Sequence, residues 1–219
     1  MSALQANDPA AFISVNTRVE APRLVPEIEL HLAHEVLPIW EMTEKALNES
    51  GLAPPYWAFS WAGGQALARY LLDHPETVRG RTVLDFAAGC GIAAIAAHRA
   101  GARRVLAADI DPFAAAAATM NAQRNGATIE ITTRDLIGAP GAWEVILAGD
   151  ICYERPTAEA VTAWLGTLAK AGALVLVGDP GRTFLPREGL EKITGYAVRT
   201  TREVEDTDLR NACVWRVLA

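Results

Sequence analysis

An α/β fold is the architecture this sequence predicts: a seven-stranded, mostly parallel sheet with helices on both faces and an antiparallel last strand. Three observations carry the prediction. From residue 82 onward, short apolar runs alternate with helical segments in a βαβ rhythm. The chain then ends on two strand-like runs with no helix between them. Acids also collect at the carboxyl ends of successive apolar runs, at Asp85, Asp109, Asp135, Asp150 and Asp179, where open α/β sheets bind their ligands.

Taken in order, "TVLDFA" (82–87) is the first strand. Glycines follow it, then a helical "IAAIAAHRAGA" ended by Gly101. "RVLAAD" (104–109) is the second strand. Asp111 and Pro112 then supply an N-cap and first-turn proline for a helix over 112–125, and Gly126 stops it. "IEITTRD" (129–135) alternates as a third strand, and "WEVILAGD" (143–150) is the fourth, ending in the cluster GDICYE. A helix is expected over 156–169, a fifth strand over 173–180 and a shorter helix over 184–194. "YAVRTTREV" and "ACVWRVL" form the final pair. Parallel strands joined by crossovers require right-handed connections and cover both faces of the sheet. Residues 1–55 carry mixed helical signals with scattered prolines. They read as an N-terminal extension packing on a core domain over 56–219.

The bulk numbers narrow the function. With 219 residues, 51% of them hydrophobic and 21% charged, the chain is long enough for one well-buried core. A formal net charge of −6 speaks against a nucleic-acid binder, which needs a basic footprint. Cys90, Cys152 and Cys213 are odd in number and widely spaced, so they read as free thiols in a reducing cytoplasm. No basic, apolar leader opens the sequence, and no run approaches the ~18 apolar residues of a membrane span. A cytoplasmic location is the expectation. His31 and His34 in "HLAHE" lack a third ligand at metal spacing, so no metal is expected.

The loop "DFAAGCGIAA" (85–94) can be parsed two ways. From Gly89 it reads G-x-G-x-x-A with Asp109 twenty residues on, the pattern of a dinucleotide site. From Asp85 it reads as an acid followed by small residues at 87, 89 and 91. That resembles motif I of class I S-adenosylmethionine (SAM) methyltransferases, which are Rossmann-like, with Ala87 where the first glycine usually stands. A carboxylate at the strand mouth works against a pyrophosphate but suits the ammonium and sulfonium of SAM, which favours the second parse. The cofactor set is then Asp85, Ala87, Gly89, Gly91, Asp109 with its neighbour Ile110, Asp135, Asp150 and Trp61. Asp109 accepts from the ribose hydroxyls. Asp135 is either a solvated loop acid or a partner of the adenine amino group. Trp61 either anchors the N-terminal segment or covers the sulfonium, which an aromatic face favours by ~0.5–2 kcal/mol.

The aromatic segment "PPYWAFSWAGGQALARYLLDHP" (54–75) leads into an amphipathic helix with Leu67, Tyr70 and Leu71 on its core face. Its "PPY" imitates a motif of amino-group nucleic-acid methyltransferases, but Ala53 stands where the acid belongs, and the position precedes the cofactor strand.

"WAFSWAGGQALARYLL", "VLDFAAGCG", "ADIDP" and "WEVILAGDICYE" occur in the order expected of family-16 seven-β-strand protein lysine methyltransferases. The chain resembles in particular the electron transfer flavoprotein β-subunit lysine methyltransferases, over most of its length from about residue 12. Asp150 and Tyr153 meet their D/E-x-x-Y/F motif after the fourth strand, with Glu154 following. Where many relatives carry a tryptophan after the third strand, this chain has Leu136-Ile137-Gly138. The short N-terminus fits a bacterial member. The resemblance implies SAM as cofactor, S-adenosylhomocysteine as product, and a protein substrate, the β subunit of electron transfer flavoprotein. It makes Asp150, Tyr153 and Glu154 the catalytic candidates. Asp150 would position the lysine, Tyr153 would wall it, and Glu154 either adds charge at the entrance or sits by the next helix start. A small-molecule amine N-methyltransferase is the alternative, and a nicotinamide oxidoreductase a more distant one.

Overall fold

The computed structural model describes residues 8–33, 54–200 and 207–219. Its centre is a seven-stranded sheet built from β3 (Thr82–Phe86), β4 (Arg104–Ala108), β5 (Glu130–Thr132), β6 (Val145–Gly149), β7 (Leu174–Asp179), β8 (Leu190–Arg199) and β9 (Leu209–Val217), in the order β5-β4-β3-β6-β7-β9-β8. The first five strands in this order pair in parallel, and β9 runs antiparallel to both β7 and β8. The chain therefore steps past a gap when it leaves β7 for β8, then returns through that gap as β9. This is the expected architecture, including the antiparallel last strand.

The apolar runs are continuous because both faces of the sheet are covered. Val83, Val145, Leu147 and Leu176 pack with α2 (Ala62–Asp73) and α3 (Ile92–Arg99) on one face. Leu84, Ile146, Val175 and Val177 pack with Trp164 and Leu165 of α5 (Arg155–Lys170) on the other. Alternate residues thus point to opposite layers, as the two-residue period of a strand demands. Within α2, Leu67 and Leu71 are buried as its periodicity predicts, with Tyr70 at the edge of the core. Val25, Ile28 and Leu30 join the first layer.

One expectation fails. No helix spans 184–194: turns occupy the stretch to Gly189, and β8 begins at Leu190. Leu190, Glu191 and Lys192 favour helix on propensity alone. Pairing with β9 overrides them, at the cost of a register shift between Lys192 and Thr194.

The N-terminal residues are not wholly helical. After α1 (Pro9–Asn16), capped by Asp8 accepting from the Ala11 amide at 3.1 Å, comes a small antiparallel ribbon of β1 (Arg18–Glu20) and β2 (Leu30–Leu32). Phe12 and Ile13 pack with Trp57, Ala58 and Phe59 of a 3-10 turn (Tyr56–Ala58) and its edge, and with Ala114 and Ala117 of α4 (Pro112–Arg124). Asn121 on α4 ties this layer together. It accepts from the His31 amide at 2.7 Å and donates to the Cys90 carbonyl at 2.8 Å. His31 lies in β2, with Nδ1 3.3 Å from the Thr17 hydroxyl, and His34 falls outside the described residues. Cys90 and Cys152 are buried free thiols, and Cys213 is half-buried. Among the described residues no helix is long and apolar enough to cross a membrane.

Candidate active site

The chain leaves β3 for β4 on one side and later returns to β6 on the other, so a crevice opens beyond the carboxyl end of β3. A cavity of about 510 Å³ occupies it. Strands are spaced by ~4.8 Å, so the ends of β4 and β6, either side of β3, lie about 10 Å apart. Asp109 follows the first of these and Asp150 the second.

At the β4 end, Asp109 is half-buried. Its Oδ2 accepts from the Gly89 amide at 2.9 Å and its Oδ1 from the Asp111 amide at 3.0 Å. Burial pushes its carboxyl above the usual range, and the two backbone donors oppose that. A carboxylate offers about four acceptor positions, so two amides do not exhaust it. Ile110 beside it is 71% exposed and lines the cavity, where it offers an apolar surface. Asp111 caps α4, accepting from the Phe113 amide at 2.8 Å. Asp135 also lines the cavity, exposed, with Oδ1 accepting from the Ile137 amide at 2.9 Å.

The glycine loop divides its labour. Ala87 adopts φ +53°, the left-handed conformation that a glycine takes most easily, and it lines the cavity. Gly89 is also left-handed, and a Cβ there meets nothing within 4 Å, so its backbone stands open to the cavity. Gly91 does not line the cavity. A Cβ there comes within 3.1 Å of the Ala118 Cβ, so its smallness lets α3 approach α4. Asp85 is not on the wall either. Its side chain is buried beneath the loop and accepts from the Ala94 amide at 2.9 Å. Burial, only partly offset by that bond, pushes its carboxyl up to about 8.

At the β6 end, Asp150 is 8% exposed and held in a left-handed conformation, φ +54°, which a non-glycine residue keeps only under outside constraint. The constraints are visible. Its amide donates to the Gly178 carbonyl at 2.8 Å, and its Oδ2 accepts from the Gly64 amide at 3.0 Å. Its Oδ1 accepts from the Arg182 guanidinium, from Nε at 3.1 Å and Nη2 at 2.7 Å. Arg182 in turn lies 5.4 Å from the Trp61 ring centre. Trp61 lines the cavity, and its indole N–H donates to the Tyr56 carbonyl at 2.8 Å. Tyr153 also lines the cavity, half-exposed, its ring 5.4 Å from that of Tyr56. Burial raises its phenol. Glu154 precedes α5, exposed, without capping it, and is not on the cavity wall.

Of the residues the sequence predicts for the site, Trp61, Ala87, Gly89, Asp109, Ile110, Asp135, Asp150 and Tyr153 share one cavity, whereas Asp85, Gly91 and Glu154 stand off it. Arg182 is the residue sequence reasoning overlooked. Its signal was the repetition of Gly-Asp at the ends of β6 and β7: Gly149 and Gly178 are register partners, and Asp179 turns the next residues back. The Asp179 Oδ1 accepts from the Gly181 and Arg182 amides, both at 2.7 Å.

A family model described as ribosomal protein L11 methyltransferase matches residues 66–173. The electron transfer flavoprotein β-subunit lysine methyltransferase of Danio rerio is 39% identical over 213 residues, covering 94% of this chain and 81% of that protein. The Homo sapiens protein of the same name is 37% identical, covering 94% and 80%. This chain belongs to that lysine methyltransferase family. Its fold also matches magnesium protoporphyrin IX methyltransferase from Synechocystis PCC 6803 with bound SAM, at a TM-score of 0.54 and 20% identity over 71% of this chain and 78% of that one. At that identity the likeness speaks for the fold alone, a class I methyltransferase sheet. Family membership makes the chain a lysine methyltransferase and removes the nicotinamide reading of the glycine loop.

Proposed function

We propose that this lysine methyltransferase uses SAM to methylate a lysine of the β subunit of electron transfer flavoprotein, in the cytoplasm. One observation supports the arrangement above all: Asp109 and Asp150 face a single cavity from strands about 10 Å apart, on either side of the glycine loop. The residues present fit SAM. Asp109 keeps acceptor capacity for the ribose hydroxyls, Ile110 offers an apolar surface to the adenine, and Asp135 is placed to accept from its amino group. Gly89 leaves room for the backbone to be approached. Asp85 belongs under the loop as a support, and Gly91 between helices. SAM would supply a methyl group on a sulfonium, open to attack by a neutral amine with S-adenosylhomocysteine leaving as the neutral thioether.

The protein supplies the rest. Asp150 orients the lysine nitrogen beside the donor, and Tyr153 with Tyr56 walls the lysine stem and excludes water. The rate gain comes from alignment of the reacting atoms at about 3–3.5 Å. Lysine must first lose a proton, since its pKa in water is about 10.4. Residues 1–55 are read as an extension packing on a methyltransferase domain of 56–219, and Pro54 from it lines the cavity.

Incubation with methyl-labelled SAM, purified electron transfer flavoprotein and a panel of small amines, followed by mass spectrometry of the peptides and of the small molecules, tests the assignment. Label on a β-subunit lysine is expected. Label confined to free amines would sink the protein-substrate reading in favour of a small-molecule one.

A further inference from the structure

The placement of Arg182 bears on how the lysine is deprotonated. A lone carboxylate beside the incoming amine holds it as ammonium and so opposes attack. Asp150 is not alone: two guanidinium nitrogens of Arg182 reach its Oδ1 at 2.7 and 3.1 Å, and both side chains are largely buried, where charges act on each other with little screening. The arginine is built into this position. Asp179, fully buried at the end of β7, accepts from the Arg182 amide and so aims the side chain back over β6. The Trp61 ring lies 5.4 Å from the guanidinium, a contact that favours a cation. Hydrogen bonds from Gly64 and Arg182 hold the two oxygens of Asp150 separately, fixing the carboxylate in plane.

We propose that Arg182 is a positioning residue that fixes Asp150 and cancels its charge, so that the substrate lysine enters as the neutral amine. The proposal rests on the reading of Asp150 as the residue at the lysine nitrogen. Among the described residues, the titratable and charged groups near the pair include Asp179, Cys152, Tyr153 and, around Tyr153, Asp109, Glu154 and Tyr56, and the same cavity wall carries Asp111, Arg134 and Asp135. The Cys152 thiol is pushed up to about 12 by burial and the Tyr153 phenol is raised, so both stay neutral near pH 7 and add no negative charge to the pair.

The test is the pH profile of kcat for methylation of the protein substrate at saturating SAM and substrate, because kcat reports the groups as they ionise in the enzyme–substrate complex. Arg182→Gln should move the rising limb up by about one pH unit, giving roughly tenfold less activity near neutrality and recovery at higher pH. Arg182→Lys should keep the limb where the wild type has it, and Arg182→Gln combined with Asp150→Asn should bring it back. Asp150→Asn alone leaves the guanidinium uncancelled and should move the limb to lower pH, a measurement that stands even if Arg182→Gln does not fold. Equal loss at every pH in Arg182→Gln, or an unmoved limb in Asp150→Asn, overturns the proposal. Full activity of Asp150→Ala on the protein substrate would instead overturn the reading of Asp150 on which it rests.

Discussion

Gly63 offers a sharp check, because local propensity and tertiary packing predict opposite signs for its replacement by alanine. Gly63 is in the first turn of α2, where alanine is favoured over glycine by up to about 1 kcal/mol. The structure places the new Cβ on the carbonyl oxygen of Gly178 in β7, and 2.6 Å from the Asp150 Oδ2. Neither neighbour is a flexible side-chain tip. One is sheet backbone, and the other is pinned by Gly64 and Arg182. Helix α2 must therefore lift off the strand mouths. Overpacking costs about 1–3 kcal/mol, and contact with sheet backbone puts this case at the upper end, so a net loss of roughly 2 kcal/mol is expected after the propensity gain. For a chain of this size that corresponds to a fall in Tm of about 4–8 °C. Gly64→Ala is the control: its Cβ meets only a methyl of Ile92, at 3.3 Å, and Tm should stay within about 3 °C. The assay is thermal unfolding of the two variants beside the parent. A Gly63→Ala protein as stable as the parent, or more so, would refute the close approach of α2 to β7.

Four further outcomes follow from the site. Calorimetric titration with SAM should show at least a tenfold loss of affinity in Asp109→Ala, because a charge-assisted bond to the ribose is worth about 1.5–3 kcal/mol. Asp150→Ala should bind SAM better than Asp109→Ala does; equal losses would move Asp150 into the cofactor contacts. Asp85 carries a carboxyl pushed up to about 8 in the fold against 3.8 unfolded, so between these values the native state holds the extra proton. Its contribution is complete below the unfolded value and is lost as pH rises towards about 8. Asp85→Asn should flatten that decline in urea-denaturation free energy between pH 5 and 8, and an unchanged slope would count against the buried acid. Ala87→Gly removes a left-handed alanine, which costs about 1–2 kcal/mol, while adding unfolded-state freedom worth about 0.5–1 kcal/mol. The denaturation midpoint should hold or rise slightly, and a clear fall would show that the alanine methyl is needed.

The sequence carried the frame of this protein because that frame depends on short-range patterns. Apolar runs of strand length, glycines at helix ends, and Asp111-Pro112 at a helix start identify β3 through β7 and place Asp109 and Asp150 at strand mouths, whatever lies around them. The run 184–194 was misread for the same reason: its helix-forming residues describe local preference, and only the pairing of β8 with β9 decides against it. Tertiary structure alone put Asp85 beneath the loop and made Gly91 a spacer against Ala118. It also seated α2 against β7 through Gly63 and Gly178, residues 115 positions apart in the sequence numbering. Above all, it brought Arg182 across 32 residues onto Asp150. A strand pattern reports which face a residue takes; it cannot report which distant side chain will meet its charge, because that partner is chosen by the turn at Asp179 and the packing of Trp61. GDICYE read by itself is an acidic strand end. In the folded chain, Asp150 is one half of a buried ion pair, and that changes what it can do to a lysine.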